Sequence, residues 1–459
     1  MSAPVMVRLR DLGNWAGGNT PSKANPAYWT DGTVPWVSPK DMKVHEMISS
    51  EDRITELALA DGRVSLVPEG SVLFVTRSGI LSHTFPVAIT KLPVTINQDL
   101  KALTPKEGVS PKYVAYAIRG ASQRILRECA KNGTTVASIE TSRLLDFEIS
   151  IGGLSEQLEI VAEVEKQFSR LDEAVANLQR VKANLKRYKA SVLKDAVEGR
   201  LVATEAELAR RDGRSFETGT QLLQRILETR RSQWKGRGKY KEPGVVSKTD
   251  FPALPDGWAW ATIEDLTYLV TSGSRGWGDF YSDVGVLFIR AQDIKSDSLR
   301  EKSVARVDVP AGAEGSRSGV GENDILVTIT GANVTKSALV PTLQEQAFVS
   351  QHVALLKLTF ADTASFVFNW IVSPANGRKI LEKWAYGAGK PGLSLEQIRT
   401  LPVALPPQNE QHRIVAEIDR RLSLVLGVDG AVDANLKRAQ ALRQSTLSKA
   451  FTPVLGRKD

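Results

Sequence analysis

At 459 residues the chain exceeds what one hydrophobic core organises, so it divides into two or more domains. Hydrophobic residues at 42% and charged residues at 24% describe an ordinary globular protein. No apolar run approaches the roughly eighteen residues of a membrane span, and Met1–Arg10 lacks the layout of a secretory signal.

The single cysteine, Cys129, excludes an internal disulfide and a thiolate metal cage, and it points to a reducing cytoplasm. A net charge of +8 permits a polyanionic partner without requiring one.

In chain order, residues 1–153 read as a mixed α+β module. Short β-branched and aromatic runs predict strands at 34–37, 72–76 and 94–96, and Tyr113, Val114, Tyr116, Ala117 and Ile118 mark a helix. Polar loops precede the first of these strands and follow each of them. Gly17-Gly-Asn-Thr-Pro-Ser22 offers Asn19 and Thr20, and Ser38-Pro-Lys-Asp41 offers Ser38, Lys40 and Asp41. Arg77, Ser78 and Gly79 follow the second strand, Asn97 and Gln98 the third, and Gly133, Thr134 and Thr135 form a flexible loop. Arginine suits guanine O6/N7 and asparagine suits adenine N6/N7. The same residues also serve as polar hairpin corners and backbone caps, and the glycine loop as a plain turn or a phosphate cradle.

Residues 154–201 predict a long helix. Leu154 to Glu198 contains no glycine or proline, and Leu171, Ala174, Leu178, Val181, Leu185, Tyr188 and Val192 recur at spacings of three and four. Residues 202–258 hold an amphipathic patch (Leu222, Leu223, Ile226, Leu227) and the basic stretch Lys235-Gly-Arg-Gly-Lys-Tyr-Lys241. That stretch reads as a solvated linker or as a contact for phosphates or a partner subunit.

Residues 259–407 restate the first module, with strands at 286–289, 324–330 and 347–349 and a helix carrying Phe366, Val367, Trp370 and Ile371. Its candidate loop residues are Arg275, Arg290, Gln292, Thr330, Asn333, Lys336, Gln351, His352 and Lys390. Residues 408–459 supply a second long helix, with seam positions Val425, Val428, Val432, Asn435, Ala439, Leu442 and Thr446. A lone seam asparagine fixes register and partner number at some loss of stability.

The restatement is literal at some positions. Gln157, Ile160, Val161, Ala162 and Glu163 return 254 positions later as Gln411, Ile414, Val415, Ala416 and Glu417. Ser191, Leu193, Ala196 and Leu201 return as Ser445, Leu447, Ala450 and Leu455, and Asp11-Leu12 as Asp265-Leu266. Either helix alone also fits the core of a larger bundle, but two at matching places in a repeat favour pairing with each other, antiparallel if a pseudo-two-fold axis relates the repeats. At 1.5 Å rise per residue such a pair is a spacer of roughly 60–70 Å. A frame kept twice with different loop content suits two modules that read different things.

Catalytic signatures are missing. There is no GxxxxGK[ST] loop, no GxGxxG after a strand and no HExxH pair among His45, His83, His352 and His412. Asn25-Pro-Ala-Tyr28 lacks the second proline of a base-holding methyltransferase motif and reads as a turn, and Asp99-Leu-Lys101 has no acidic partners for a nuclease site. The chain reads as non-catalytic by itself, with no cofactor and no metal. A self-contained restriction endonuclease and a coiled-coil scaffold whose modules bind proteins are the competing readings.

Three stretches carry a family resemblance: Gly17 to Met42 (GGNTPS…YW…VPWVSPKDM), VLFVTRSG at 72–79, and the Leu145 to Val164 junction that recurs from Leu401 to Ile418. The central region from Leu222 to Pro243 adds to them. The chain resembles the specificity subunit of type I restriction–modification systems. One departure is that the lead-in Leu254-Pro-Asp-Gly-Trp258 of the second copy has no counterpart before Val7-Arg-Leu-Arg-Asp-Leu12.

The resemblance implies two target recognition domains separated by two antiparallel coiled-coil helices, each domain reading half of an asymmetric bipartite site in double-stranded DNA. It implies two methyltransferase subunits and restriction–translocase subunits as partners. S-adenosylmethionine, ATP and magnesium would belong to those partners.

Overall fold

The computed structural model describes residues 5–131, 136–235, 238–244, 251–300, 304–309, 315–386 and 391–451. They fall into two compact units, Met1–Arg180 with Ala431–Asp459, and Val181–Gly430. Both boundaries lie inside the long helices, Leu154–Val197 and Gln408–Phe451, which contain 44 residues each.

In the first unit the strands are β1 (Val5–Arg8), β2 (Gly13–Gly17), β3 (Val34–Val37), β4 (Glu46–Met47) and β5 (Asp52–Ile54). They continue with β6 (Val72–Val75), β7 (Val87–Thr90), β8 (Thr95–Ile96), β9 (Leu100–Pro105) and β10 (Glu148–Ile151). One sheet runs β2-β9-β6-β7-β4, a second runs β5-β3-β8, and β1 pairs with β10. All four residues of β6 are buried, as expected for a central strand covered on both faces. The helix Pro111–Gly120 packs Tyr113, Val114 and Ile118 into the same core as Leu73, Phe74 and Leu103. Its N-cap hydroxyl, Ser110, accepts from Tyr113 N, and Pro111 occupies the first turn, where no N–H is needed.

The second unit contains β11 (Ala259–Thr262), β12 (Thr267–Ser272), β13 (Tyr281–Ser282), β14 (Val286–Ile289), β15 (Ile294–Lys295) and β16 (Ser298–Leu299). It continues with β17 (Ala305–Val307), β18 (Gly319–Val320), β19 (Ile325–Thr328), β20 (Ser337–Leu339), β21 (Ala347–Val349), β22 (Val353–Leu358) and β23 (Pro402–Leu405). The order β12-β22-β19-β20 matches β2-β9-β6-β7, and β17-β14-β21 inside the second sheet matches β5-β3-β8. The likeness extends to strand direction. β3 and β8 are parallel, pairing Trp36 with Thr95, and β14 and β21 are parallel, pairing Phe288 with Phe348. Thus the modules are copies in topology, not only in element order.

The residues that recur in the sequence are those that seat the helices. Gln157 donates to Gly152 O and Gly108 O and accepts from Ser110 N, while Gln411 donates to Pro406 O, so each glutamine locks the chain just before its helix. Val161 enters the core of the first unit, with Ile160 and Phe451 packed against it. Leu193, Ala196, Ile414 and Ile418 enter the core of the second. Leu447 is buried like its counterpart Leu193, whereas Leu455 lies outside the described residues.

Within each unit the helix segments run antiparallel. In the first, Asp172 ion-pairs with Arg443, whose guanidinium lies 4.7 Å from the Phe168 ring, while Ile160 and Val164 share a groove with Thr446 and Ala450. In the second, Tyr188 lies beside Arg421, while Ala196 shares a core with Ile414. The predicted seam requires correction at alternate positions. Val425, Val432, Ala439 and Thr446 face inward, but the intervening inward positions are Asp429, Leu436 and Arg443. Asn435 is exposed and donates to Ala431 O of its own helix, and Leu442 is 53% exposed. Val181 and Tyr188 are also largely exposed, at 39% and 45%, whereas Leu171, Leu178 and Leu185 are half-buried. Bound to its own backbone, Asn435 specifies no register.

The central segment belongs to the second unit. Its helices Glu205–Asp212 and Gly219–Ser232 both begin with reciprocal capping boxes, at Thr204/Glu207 and Thr218/Gln221. Leu222, Leu223 and Ile226 are buried in that unit's core. Glu205 sits on Arg214 and Arg413 at 2.7 and 2.6 Å, and Glu410 accepts from Glu205 N and the Trp258 indole at 2.7 and 2.8 Å. Burial alone would push the Glu205 carboxyl up, but hydrogen bonds and charge from the two arginines hold it below its usual value.

Candidate nucleic-acid interface

The strands of the first module deliver four polar loops to one place. The loop after β2 meets the end of β8, where Asn19 N donates to Ile96 O at 2.9 Å. A Cβ on Gly18 would stand 1.9 Å from Asn97 O, so only glycine allows this approach. Asn97 N donates to Val37 O, and Thr76 N and Arg77 N both donate to Asp99 O, which draws in the loops after β3 and β6. The segment at 137–139 closes the set through Ser78 N to Ala137 O and Ile139 N to Thr76 O.

Within this cluster many predicted side chains bind each other. Asn97 turns its amide onto Asp99, the Thr20 hydroxyl donates to Gln98 Oε1, and Asn19 donates to Arg63 O. Ser38 N and Oγ both donate to Asp41, whose other oxygen accepts from Glu51 N. Lys40 is held by Glu51 and Asp52 at 3.2 and 2.9 Å. Those groups shape the loops. Ser78 Oγ accepts from Ile80 N and, with Gly79, starts the short helical turn Gly79–Ser82. Arg77 stands apart. It is exposed, and its guanidinium has no hydrogen-bond or ion-pair partner among the described residues.

The second module repeats the construction with other side chains. A Cβ on Gly273 would lie 1.8 Å from Val349 O, the counterpart of the Gly18 approach. Asp293 accepts from Arg290 N, as Asp41 does from Ser38 N, and also takes Arg290 Nε and Nη2 at 3.0 and 3.1 Å. Gln292, with its amide oxygen toward the guanidinium, accepts from Arg290 at 3.2 and 3.1 Å. Asn333 donates to Ala291 O and Ile294 O and so ties two loops together. Thr330 is exposed and bridges to Gly392. Gln351 and His352 meet through their side chains at 3.0 Å. Arg275 is exposed and Lys336 half-buried, and neither cation has a partner among the described residues. Gly133, Thr134, Thr135 and Lys390 lie outside the described residues.

The cluster therefore sorts into spent and available groups. Available cations (Arg77, Arg275, Lys336) stand on loops whose shape the spent groups fix. Trp277 and Tyr281, absent from the predicted set, share a pocket with Arg290, Ser350, Gln351 and His352. Their signal in the sequence was the aromatic interleaving of Trp277, Phe280 and Tyr281 with glycine and arginine. Among the described residues no group of three His, Cys, Asp or Glu side chains could hold a metal ion. No helix of the described residues is long and apolar enough to cross a membrane.

Comparison with known proteins adds to this geometry. Residues 2–187 match the family model described as the type I restriction modification DNA specificity domain. The chain is similar to the type I restriction enzyme EcoR124I/EcoR124II specificity subunit of Escherichia coli, 41% identical over 167 residues covering 36% of this chain and 41% of that protein. It is similar to the MjaIX specificity subunit of Methanocaldococcus jannaschii, 31% identical over 173 residues covering 37% and 38%. The aligned stretches thus span about two fifths of the length of each of those relatives. The EcoBI specificity subunit of Escherichia coli aligns more broadly, 23% identical over 78% of this chain and 69% of that protein.

Two solved structures share the fold. A chain from the complex assembly and conformational transition of the type I R-M system is 17% identical, covers 98% of this chain and 97% of its own, and has a TM-score of 0.64. The HsdS subunit from Thermoanaerobacter tengcongensis is 16% identical, with coverages of 98% and 96% and a TM-score of 0.51.

Proposed function

We propose that this chain is a specificity subunit of a type I restriction–modification system and that it recognises double-stranded DNA as an asymmetric split site, one half through each module. The observation that carries the reading is the double loop cluster. The same strand topology and the same glycine approach hold two sets of loops whose side chains differ. In this reading residues 1–153 and 259–407 are the target recognition domains, 154–201 and 408–459 the spacer helices, and 202–258 the connector.

Two short half-sites read together multiply discrimination, because each mismatched base pair costs about 1–3 kcal/mol. Arg77, Arg275 and Lys336 are the side chains available for base edges and phosphates. The spent groups, Lys40, Asp41, Arg290 and Asn333 among them, act by holding the loops.

The chain supplies recognition, not chemistry. Methyltransferase subunits and restriction–translocase subunits dock on it and bring S-adenosylmethionine, ATP and magnesium, and the complex works on cellular DNA in the cytoplasm.

The test is DNA binding by the chain assembled with its methyltransferase partner, on duplexes with and without the site, across a salt series. The reading expects site-specific binding that weakens linearly in log–log form as salt rises. Binding that ignores salt, or cleavage of DNA by the chain alone with magnesium, would overturn it.

A further inference from the structure

The second module contains a pocket of about 370 Å³ between the loop at 274–281, the strand end at 288–292 and the turn at 350–352. Its volume lies toward the lower end of small-ligand clefts, roughly 300–1,000 Å³. Flat aromatic surface forms part of the wall. The Trp277 and Phe288 rings meet at 5.1 Å, and Tyr281 stands edge-on to Phe288 at 5.9 Å. Tyr281 is 48% exposed, so one ring borders the opening.

Polar atoms without partners form another part. Ser350 is 6% exposed, yet its hydroxyl has no hydrogen-bond partner among the described residues, and Gln351 Oε1 is buried in the same condition. Buried polar atoms are nearly always hydrogen-bonded, so two orphans lining one pocket call for a ligand that supplies what they lack.

The matching positions of the first module are closed. Asn97 stands where Ser350 does and is bound to Asp99, while Gln98 matches Gln351 and accepts from Thr20. Trp36 corresponds to Phe288, and its indole N–H is taken by Asn19 O. Hence the pocket is particular to one module and is not a by-product of the shared scaffold.

A fitting ligand is flat, stacks on aromatic rings and carries N–H groups on its edge for Gln351 Oε1 and a polar atom for the Ser350 hydroxyl. We infer that the pocket between Trp277, Tyr281 and Ser350–Gln351 receives a single unstacked nucleobase. The inference rests on the reading of these loops as a DNA-reading face. A base drawn out of the duplex and a free nucleoside present the same chemistry. In the first case one position of the half-site is selected partly by how easily it unstacks.

The complex of the full chain with its methyltransferase subunits is mixed with duplexes carrying its site. Each position is probed in turn, by 2-aminopurine at purines, pyrrolocytosine at cytosines and permanganate reactivity at thymines. Methyltransferases unstack their own target base, so a response at the methylated adenines is expected in any case. The expected result is one further position whose signal rises severalfold on binding and is lost in Tyr281→Ala and Gln351→Ala, with the response at the methylated adenines kept.

In parallel, the four nucleosides are titrated into the complex without DNA by calorimetry. Saturable binding abolished by Tyr281→Ala, with no further unstacked position, assigns the pocket to a free base and upholds the ligand class. Site-specific binding with neither signal, or with signals that persist in both variants, overturns the inference and leaves the DNA-recognition reading standing. Absence of any site-specific binding defeats that reading itself.

Discussion

Arg77 carries the clearest test at the scale of single residues. It is exposed on a loop fixed by backbone bonds to Asp99 and Ala137, and its guanidinium holds nothing among the described residues, which suits the reading role proposed for it. Arg77→Ala is expected to weaken discrimination at one position of one half-site by roughly 1–3 kcal/mol. A loss equal across all sequences would make Arg77 a phosphate contact instead.

Cys129 gives a structural check. It is 1% exposed, and burial pushes its thiol up to about 11. A thiol reagent should therefore leave the native chain unlabelled and react fully only when denaturant unfolds the first unit. Rapid labelling of the native chain would contradict that packing. Residue chemistry was only half legible in the sequence. Loop polarity located the cluster, but an amide at a strand end serves equally as reader or cap, and only distances separate Asn97, bound to Asp99, from an available group.

At the scale of elements, the close approach of the loop after β2 to the neighbouring strand end is the shared device. Gly18→Ala and Gly273→Ala each insert a methyl group less than 2 Å from a backbone oxygen. Each should destabilise its own unit by about 1–3 kcal/mol, read as a lowered unfolding midpoint, with the other unit unaffected. Unchanged melting would mean that the loop relocates freely.

The long helices offer a pH test. Hydrogen bonds from Arg420 and Arg421 pull the Glu417 carboxyl from 4.5 down to about 2. A depressed folded-state value stabilises the fold above the unfolded value, and that contribution drains away as pH falls from 4.5 toward 2. Glu417→Gln should therefore flatten the acid limb of the stability profile in that window. An identical acid limb in both proteins would refute the linkage.

The helices themselves and the strands at 34–37, 286–289 and 347–349 were readable from period and residue type. The seam was readable only at every second position. A weak heptad without sustained apolar spacing leaves the phase undetermined by one residue, and Arg443 in place of Leu442 follows from an ion pair with Asp172 that no periodicity reveals.

For the whole molecule, duplication was legible because the recurring residues, Gln157 and Gln411 or Leu193 and Leu447, do the same packing work in both copies. The loops differ in side chains between the copies, each set held by its own contacts, such as Asp41 with Ser38 in one module and Asp293 with Arg290 in the other. The assignment of one half-site to each module makes the effects of loop substitutions separable.

The most direct measurement is the sequencing of methylated adenines in DNA from cells that express the system with the wild-type chain, Arg77→Ala or Arg275→Ala. The wild type should give a split, asymmetric site, with Arg77→Ala relaxing one half and Arg275→Ala the other. An unbroken site, or the same half altered by both substitutions, would contradict that expectation.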